Sequence, residues 1–284
     1  MIALEHHDHP LPDRERNDAL YAGKLLVFRG FAEVATLVAS LAQRARDFLG
    51  EDPEAAHLRW GEAELNERAD QLRRAVRKDA AVRGPLRAAL GAVGMDPAAN
   101  YGDGPGVRVQ MAHSQSGRRR VSPLGIHRDT WGTRVSSQVN WWAPVFPTTG
   151  ERTLAFYPSR FRTPVANDSA GWDFAELLRR LRLEGPEPDY PLLPLATEAL
   201  PEAEALAVSL LPGDLLAFSG AHLHASVPNR TDRTRLSWEV RTVTGEDERA
   251  GRGAPEVDSE ATRRTLQLFR RLTDRERLGE MEQA

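Results

Sequence analysis

The sequence predicts a mainly β fold with flanking helices, arranged as a double-sheet jelly roll or cupin-like barrel. Three observations carry that expectation. Helical periodicity occupies much of residues 31–90 and stops at a turn-rich stretch, 97–106. Short strand-like runs dominate from 107 to 243. Several of those runs keep polar side chains on one face, as in a sheet whose polar face is turned inward.

At 284 residues the chain suits a single domain with one sizeable core. Its 38 Lys and Arg are interleaved with 41 Asp and Glu, for a net charge of −3, a balance that calls for no nucleic-acid partner. The absence of cysteine excludes disulfides, zinc–thiolate sites, iron–sulfur clusters and cysteine nucleophiles. Residues 1–20 lack the apolar run of a secretory signal, and no stretch approaches the roughly 20 apolar residues of a membrane span. A cytoplasmic, membrane-independent monomer or homodimer is therefore expected.

Residues 1–20 read as a Pro- and charge-rich tail, followed by a strand and helices over 21–95. The strand, 24–29, ends at Gly30. A helix over 31–49 places Val34, Leu37, Val38, Leu41, Ala45 and Phe48 on one stripe and stops at Gly50. A second, over 62–79, buries Leu65, Ala69, Leu72 and Val76, with Arg73, Arg74, Arg77 and Lys78 on its solvated face. Gly84-Pro85 is expected to separate it from a shorter helix ending at residue 90. The jelly-roll core then spans 107–243, with strands over 107–112, 121–130, 134–142 and 153–157. An insertion, 161–204, carries a helix over 172–183 and serves as a lid or as packing outside the site. Strands resume at 205–211, at 215–218 after the Pro212-Gly213-Asp214 turn, and at 222–227. Residues 235–243 form the clearest alternating strand, with Leu236, Trp238 and Val240 on one face and Arg235, Ser237 and Glu239 on the other. A charged helix over 259–281, striped by Leu266, Phe269 and Leu272, closes the chain.

In a strand over 121–130, His127 and Asp129 project to the same side, with Cα atoms roughly 6–7 Å apart. They supply two of the three ligands of a two-histidine, one-carboxylate facial triad. His6-His7-Asp8 has the same spacing but sits in the tail without strand context. His224 is the expected third ligand; His222 competes for that role because both lie on one face of a regular strand. A turn at Pro228-Asn229 then sets Arg235 opposite His224 on the next antiparallel strand. An inward arginine without an acidic partner is costly, and a carboxylate ligand would satisfy it.

These features together, His127-Arg128-Asp129, then His224-Ala225-Ser226-Val227-Pro228-Asn229, then Arg235 eleven residues after His224, resemble the Fe(II)/2-oxoglutarate dioxygenase superfamily. The pattern is most similar to its phytanoyl-CoA-dioxygenase-like branch and covers roughly residues 107–243. The resemblance implies a double-stranded β-helix in which His127, Asp129 and His224 ligate Fe(II). It implies that Arg235 binds the far carboxylate of 2-oxoglutarate, with Ser237 and Gln138 as further donors to that cosubstrate. It also implies use of O2, release of succinate and CO2, and hydroxylation or desaturation of a small metabolite. Halogenases of the superfamily replace the carboxylate ligand with a small residue, so Asp129 favours oxygenation.

Gln138, Asn140 and Trp142 share one face of the 134–142 strand. Trp131, Arg134, Asn140 and Trp142 are pocket candidates, though each tryptophan equally suits a core. His113 reads as an ordinary surface or core histidine. Arg118, Arg119 and Arg120, beside Arg128 and Arg134, form a solvated loop or meet an anionic substrate; Ser116-Gly117 suits a flexible rim. There is no phosphate cradle and no nucleophile elbow. Two other readings remain open: a metal-dependent isomerase, epimerase or lyase of the cupin type, for which Arg235 is unnecessary, and a non-catalytic ligand-sensing barrel, for which the triad is unnecessary.

Overall fold

The computed structural model describes residues 4–113 and 120–279. In chain order the elements are β1 (Leu4–His7), α1 (Asp13–Tyr21), β2 (Leu25–Phe28), α2 (Ala32–Leu49), α3 (Ala56–Arg59), α4 (Glu62–Lys78) and α5 (Ala80–Ala92). Then follow β3 (Asn100–Gly102), β4 (Gly106–Gln110), α6 (Thr130–Thr133), β5 (Gln138–Pro144), β6 (Leu154–Phe156) and α7 (Phe174–Leu183). The last are β7 (Leu206–Val208), β8 (Leu215–Ser219), β9 (His224–Ser226), β10 (Arg235–Thr244), α8 (Gly245–Arg249) and β11 (Arg270–Arg271).

The larger sheet runs β1-β2-β8-β5-β10-β3-β11, with β4 also paired to β10; the smaller runs β7-β6-β9. Strand alternation sorts side chains between two cores. Leu26, Phe28, Val139, Trp141, Ala217, Leu236, Trp238 and Val240 point from the large sheet toward α2, α4 and α5. Leu25, Val27, Trp142, Leu216 and Phe218 point the other way and meet Leu154, Phe156 and Val208 of the small sheet. Helices, large sheet and small sheet therefore form three layers. No strand joins the two sheets among the described residues, so the β structure is described as two facing sheets. The flanking helices fall where the sequence predicted them, α2, α4 and α5 contributing 18, 17 and 13 residues to the helical layer.

Several elements depart from the sequence expectation, each for a local reason. The amino-terminal tail is ordered: β1 pairs in parallel with β2, and its main chain suffices for that pairing despite its polar sequence. The helix break falls at Asp79, whose carboxylate caps α5 by accepting from the Ala81 amide at 2.8 Å. Helix α5 runs through Gly84-Pro85, because packing of Val82, Leu86, Ala89 and Leu90 offsets one missing helix hydrogen bond. Residues 121–130 make no strand beyond a single bridge at His127, and the chain turns into α6 before β5. The carboxy-terminal segment is not a helix. Leu266 and Phe269 are buried as expected, but from a short 3-10 turn against Tyr101, Val135 and Val243. Residues 280–284 lie outside the described residues.

Gly94 ends α5 with φ of 99°, its amide bonded to Gly91 O and the Met95 amide to Leu90 O. A Cβ there would strike the backbone carbonyl of Leu11. Gly94→Ala is expected to cost about 2 kcal/mol or more in stability, measurable as a lowered urea midpoint.

Candidate metal centre and cavity

The backbones of His127 and His224 bond reciprocally, each amide to the other's carbonyl at 2.9 Å. This antiparallel pair sets the two rings side by side, with centroids 4.2 Å apart. His127 Nδ1 lies 2.8 Å from Gly125 O, and His224 Nδ1 lies 2.9 Å from His222 O. A carbonyl accepts only, so both Nδ1 atoms carry the proton and both Nε2 lone pairs are left for a ligand. Phe156 stacks on the His224 ring and Phe218 meets it edge-on, which restrains its rotation.

Asp129 reaches the same place from the start of α6 and not from a strand. Its Oδ1 is 4.0 Å from His127 Nε2, and its Oδ2 accepts a short hydrogen bond from the Asn140 amide. Among the described residues no three His, Asp or Glu side chains already form a closed metal-binding cluster. Adjacent ligands about 2.1 Å from an octahedral metal lie ~3 Å apart, about 1 Å closer than Asp129 Oδ1 stands to His127 Nε2. The donor chemistry, two free imidazole Nε2 atoms and one carboxylate oxygen, fits a divalent transition metal.

Electrostatics keeps His127 and Asp129 in their ligating forms. Burial and the neighbouring His224 push His127 down to about 3, so its ring is neutral near pH 7. Burial opposes ionisation of Asp129, but His224, His127, Arg241 and the Asn140 amide outweigh it and hold the carboxyl below its usual range. His222 is placed differently. Its ring sits between Ser219 O (3.1 Å) and Gly23 O (3.0 Å), 4.5 Å from the Phe161 ring centroid, and burial lowers it to about 4. Each nitrogen faces a backbone carbonyl, the neutral ring donating to one of the two, and neither is turned toward His127, so it is a packed histidine.

Behind the metal segment, Arg128 is buried and donates to Asp258, Ala221 O, Arg160 O and Thr163 O at 2.5 to 3.0 Å. Asp258 also accepts from Trp131 Nε1 at 2.7 Å. Trp131 is thus a core residue and lines no pocket. Arg134 is exposed, in left-handed backbone at φ 52°, and is likewise no pocket residue. Asn140 and Trp142 do line the cavity. Gln138 Nε2 donates to Asn140 Oδ1 at 2.7 Å, so it positions the amide that holds Asp129, and it is not among the cavity's lining residues. His113 is a surface residue paired with Asp232 at 2.7 Å. Ser116, Gly117, Arg118 and Arg119 lie outside the described residues; Arg120 pairs with Asp70.

Arg235 is fully buried. It donates to Thr153 O at 2.9 Å and approaches Ser226 Oγ at 3.4 Å, with no carboxylate partner among the described residues. Its Nε and the Ser237 Oγ are buried without partners, as is the Nε of Arg108. Arg108 stands opposite Ser237 in the β4–β10 register. Burial and the proximity of Arg108 lower Arg235 to about 9, and burial lowers Arg108 too. A pair of guanidiniums and a hydroxyl therefore await an acceptor. The cavity, about 460 Å³, reaches Arg108 and Ser226; Arg235 and Ser237 lie just beyond its wall. Arg108, like Arg241 and Asp103 at the cavity wall, is a residue that sequence reasoning passed over. Alternation in β4 and β10 could have found the two arginines, since each continues a polar face.

No protein-family model and no curated protein matches the sequence. Solved structures with similar backbones include the non-heme monooxygenase ThoJ, 17% identical, covering 74% of this chain and 70% of its own, with a TM-score of 0.41. EvdO2 from Micromonospora carbonacea var. aurantiaca is 13% identical, with coverage of 84% and 94% and a TM-score of 0.46. EctD from S. alaskensis with bound Fe is 17% identical, with coverage of 93% and 85% and a TM-score of 0.44. No helix among the described residues is long and apolar enough to cross a membrane.

His224→Ala is expected to weaken Co(II) binding more than tenfold with little loss of stability. His222→Ala should do the reverse, costing about 2 kcal/mol while Co(II) still binds; titration calorimetry and thermal melts separate them. The depressed imidazoles also predict a pH dependence. Folded values of about 3 and 4 lie below the unfolded value near 6.5, so the stability they contribute is full above pH 6.5 and is lost as pH falls toward 4. The metal-free protein should lose on the order of 2 kcal/mol per histidine between pH 7 and pH 5 in urea melts.

Proposed function

We infer that this chain is a non-haem Fe(II)/2-oxoglutarate-dependent oxygenase acting on a small molecule, with hydroxylation or desaturation as its reaction. The observation that carries the reading is the reciprocal His127–His224 pair, with both Nε2 atoms free and Asp129 beside them. The buried, carboxylate-free Arg235, with Arg108 and Ser237, supports 2-oxoglutarate as the second ligand, because a dicarboxylate can reach the metal at one end and the guanidiniums at the other. A metal-dependent isomerase or lyase has no use for that buried cationic end, nor has a sensing barrel for the triad.

His127, Asp129 and His224 would hold Fe(II), His127 and His224 through Nε2. The bound iron, with 2-oxoglutarate and O2, supplies the oxidising power that protein side chains lack, and succinate and CO2 leave. The chain's own residues do the positioning. Asn140, held by Gln138, fixes one oxygen of Asp129 and leaves the other for the metal. Arg108, Arg235 and Ser237 would orient the cosubstrate's distal carboxylate from a site where burial strengthens each hydrogen bond. Trp142, Leu154 and Phe218 line the inner cavity with apolar surface and exclude water from the reacting end.

Anaerobically iron-loaded protein is expected to bind 2-oxoglutarate in calorimetry and, on admitting O2, to form succinate slowly even without a second substrate. Arg235→Gln should raise the 2-oxoglutarate Kd at least tenfold while Co(II) affinity stays within twofold. Metal binding without any 2-oxoglutarate binding would move the assignment to the isomerase or lyase reading.

A further inference from the structure

The insertion that carries α7 is tied down at both ends of the cavity. At one end the Trp172 ring lies on Gly132 of α6, where a Cβ would stand 3.3 Å from it, one helical turn past Asp129. The Ala196 amide donates to Ile126 O at 2.8 Å, beside His127. At the other end Asn66 of α4 donates to Glu187 at 2.9 Å. The two arms of the insertion are also joined, Trp172 Nε1 to Pro191 O at 2.9 Å and the Asp173 amide to the Tyr190 hydroxyl at 2.7 Å. Helix α7 therefore starts beside the metal segment and leads outward toward α4.

The two faces of α7 differ. On the outer one Glu176 pairs with Arg179 at 2.7 Å and Arg180 at 2.8 Å. On the inner one Phe174, Leu177, Leu178 and Leu181 recur at steps of three and four residues and line the cavity. None of these four, nor Trp172, belongs to any of the chain's hydrophobic clusters or packs against one, although Trp172 and Leu177 are buried. The stripe is thus turned to the cavity and not to a protein core. From Phe174 to Leu181 it extends about 10 Å, at about 1.5 Å per residue, and Trp142, Leu154 and Phe218 continue the apolar lining inward. The facing wall, with Arg73, Arg77, Arg120 and Glu239, carries both signs and selects no single charge. Because the insertion is bonded to the rest of the chain at both ends, whatever covers the stripe must enter the cavity, whose volume of about 460 Å³ suits a small molecule and not a further helix.

We propose that the cavity takes a small molecule with an apolar body about 10 Å long, a hydrocarbon chain or a fused-ring skeleton, and that Phe174, Leu178 and Leu181 select it. That this occupant is the molecule oxidised rests on the oxygenase reading above; its apolar character rests on the α7 stripe alone. A molecule without such a body, a free amino acid or a short hydroxy acid, would leave the stripe against water and gain nothing from it. An apolar body laid along α7 has one end at Trp172 and Gly132, which brings its C–H bonds beside the segment that bears His127 and Asp129.

Neutral apolar probes test this on the full chain. N-phenyl-1-naphthylamine should bind at one saturable site in fluorescence titration, and L178Q/L181Q should weaken it at least tenfold. L178M/L181M, which keeps the stripe apolar, should stay within threefold and so separates lost apolar contact from damage to α7. L183Q, at an exposed leucine of the same helix outside the cavity, should leave the affinity within twofold. Displacement of the probe by hexan-1-ol, octan-1-ol and decan-1-ol distinguishes the two kinds of body: a chain site strengthens roughly fourfold per added methylene, whereas a fused-ring site holds the probe without that dependence. The absence of saturable binding, an affinity that L178Q/L181Q leaves unchanged, or a dimer in sedimentation that L178Q/L181Q dissolves, overturns the proposal. Calorimetry of 2-oxoglutarate on the iron-loaded protein is run in parallel. If 2-oxoglutarate fails to bind while the probe still depends on Leu178 and Leu181, the oxygenase reading falls and the ligand class stands; if 2-oxoglutarate binds and the probe does not, the reverse holds.

Discussion

Two backbone hydrogen bonds between His127 and His224 hold the site together. They join a segment with no regular structure of its own to an inner edge of the small sheet, and every later feature inherits that placement. Because each ring is also held at Nδ1 by a carbonyl two residues away, the backbone decides which nitrogen faces the cavity. The ligand geometry is thus fixed by main chain, the least mutable part of the protein. Side chains contribute the remaining restraint: aromatic rings on His224 and the Gln138–Asn140 relay to Asp129.

Much of this was legible in the sequence where periodicity reflects burial. Helices α2 and α4 and strand β10 were readable because one face of each packs on the same core. The juxtaposition of His127, Asp129 and His224 and an inward Arg235 were readable from ordered spacing. What escaped was structure held by partners and not by pattern. The tail strand β1 needs only the main chain of β2, and residues 121–130 make a single bridge before turning into α6, so neither leaves an alternation to read. Trp131 and Arg134, expected at the pocket, fall on α6 and its left-handed C-cap, which send one into the core and the other to solvent. The carboxy-terminal stripe of Leu266 and Phe269 correctly marks burial but not helix, because two apolar contacts can be made equally well from an irregular segment packed on Tyr101.

The cavity joins chemistries that originate far apart in the chain. The small and large sheets supply the metal end and the guanidiniums near Ser226; the 161–204 insertion supplies an apolar wall; α4 supplies positive charge. The insertion is therefore not packing outside the site: its helix forms part of the cavity wall. This division lets the sheets hold the reactive centre while helices set what reaches it, the usual separation between a rigid scaffold and variable surroundings.

Asp258 ties Arg128, Trp131 and the Val165 amide together behind the metal segment, across 130, 127 and 93 residues of chain. Without it, Arg128 would be a buried charge with only carbonyl partners. The loop bearing His127 and Asp129 is consequently anchored from behind by a segment more than 120 residues further along the chain. Contacts of such long sequence separation form slowly.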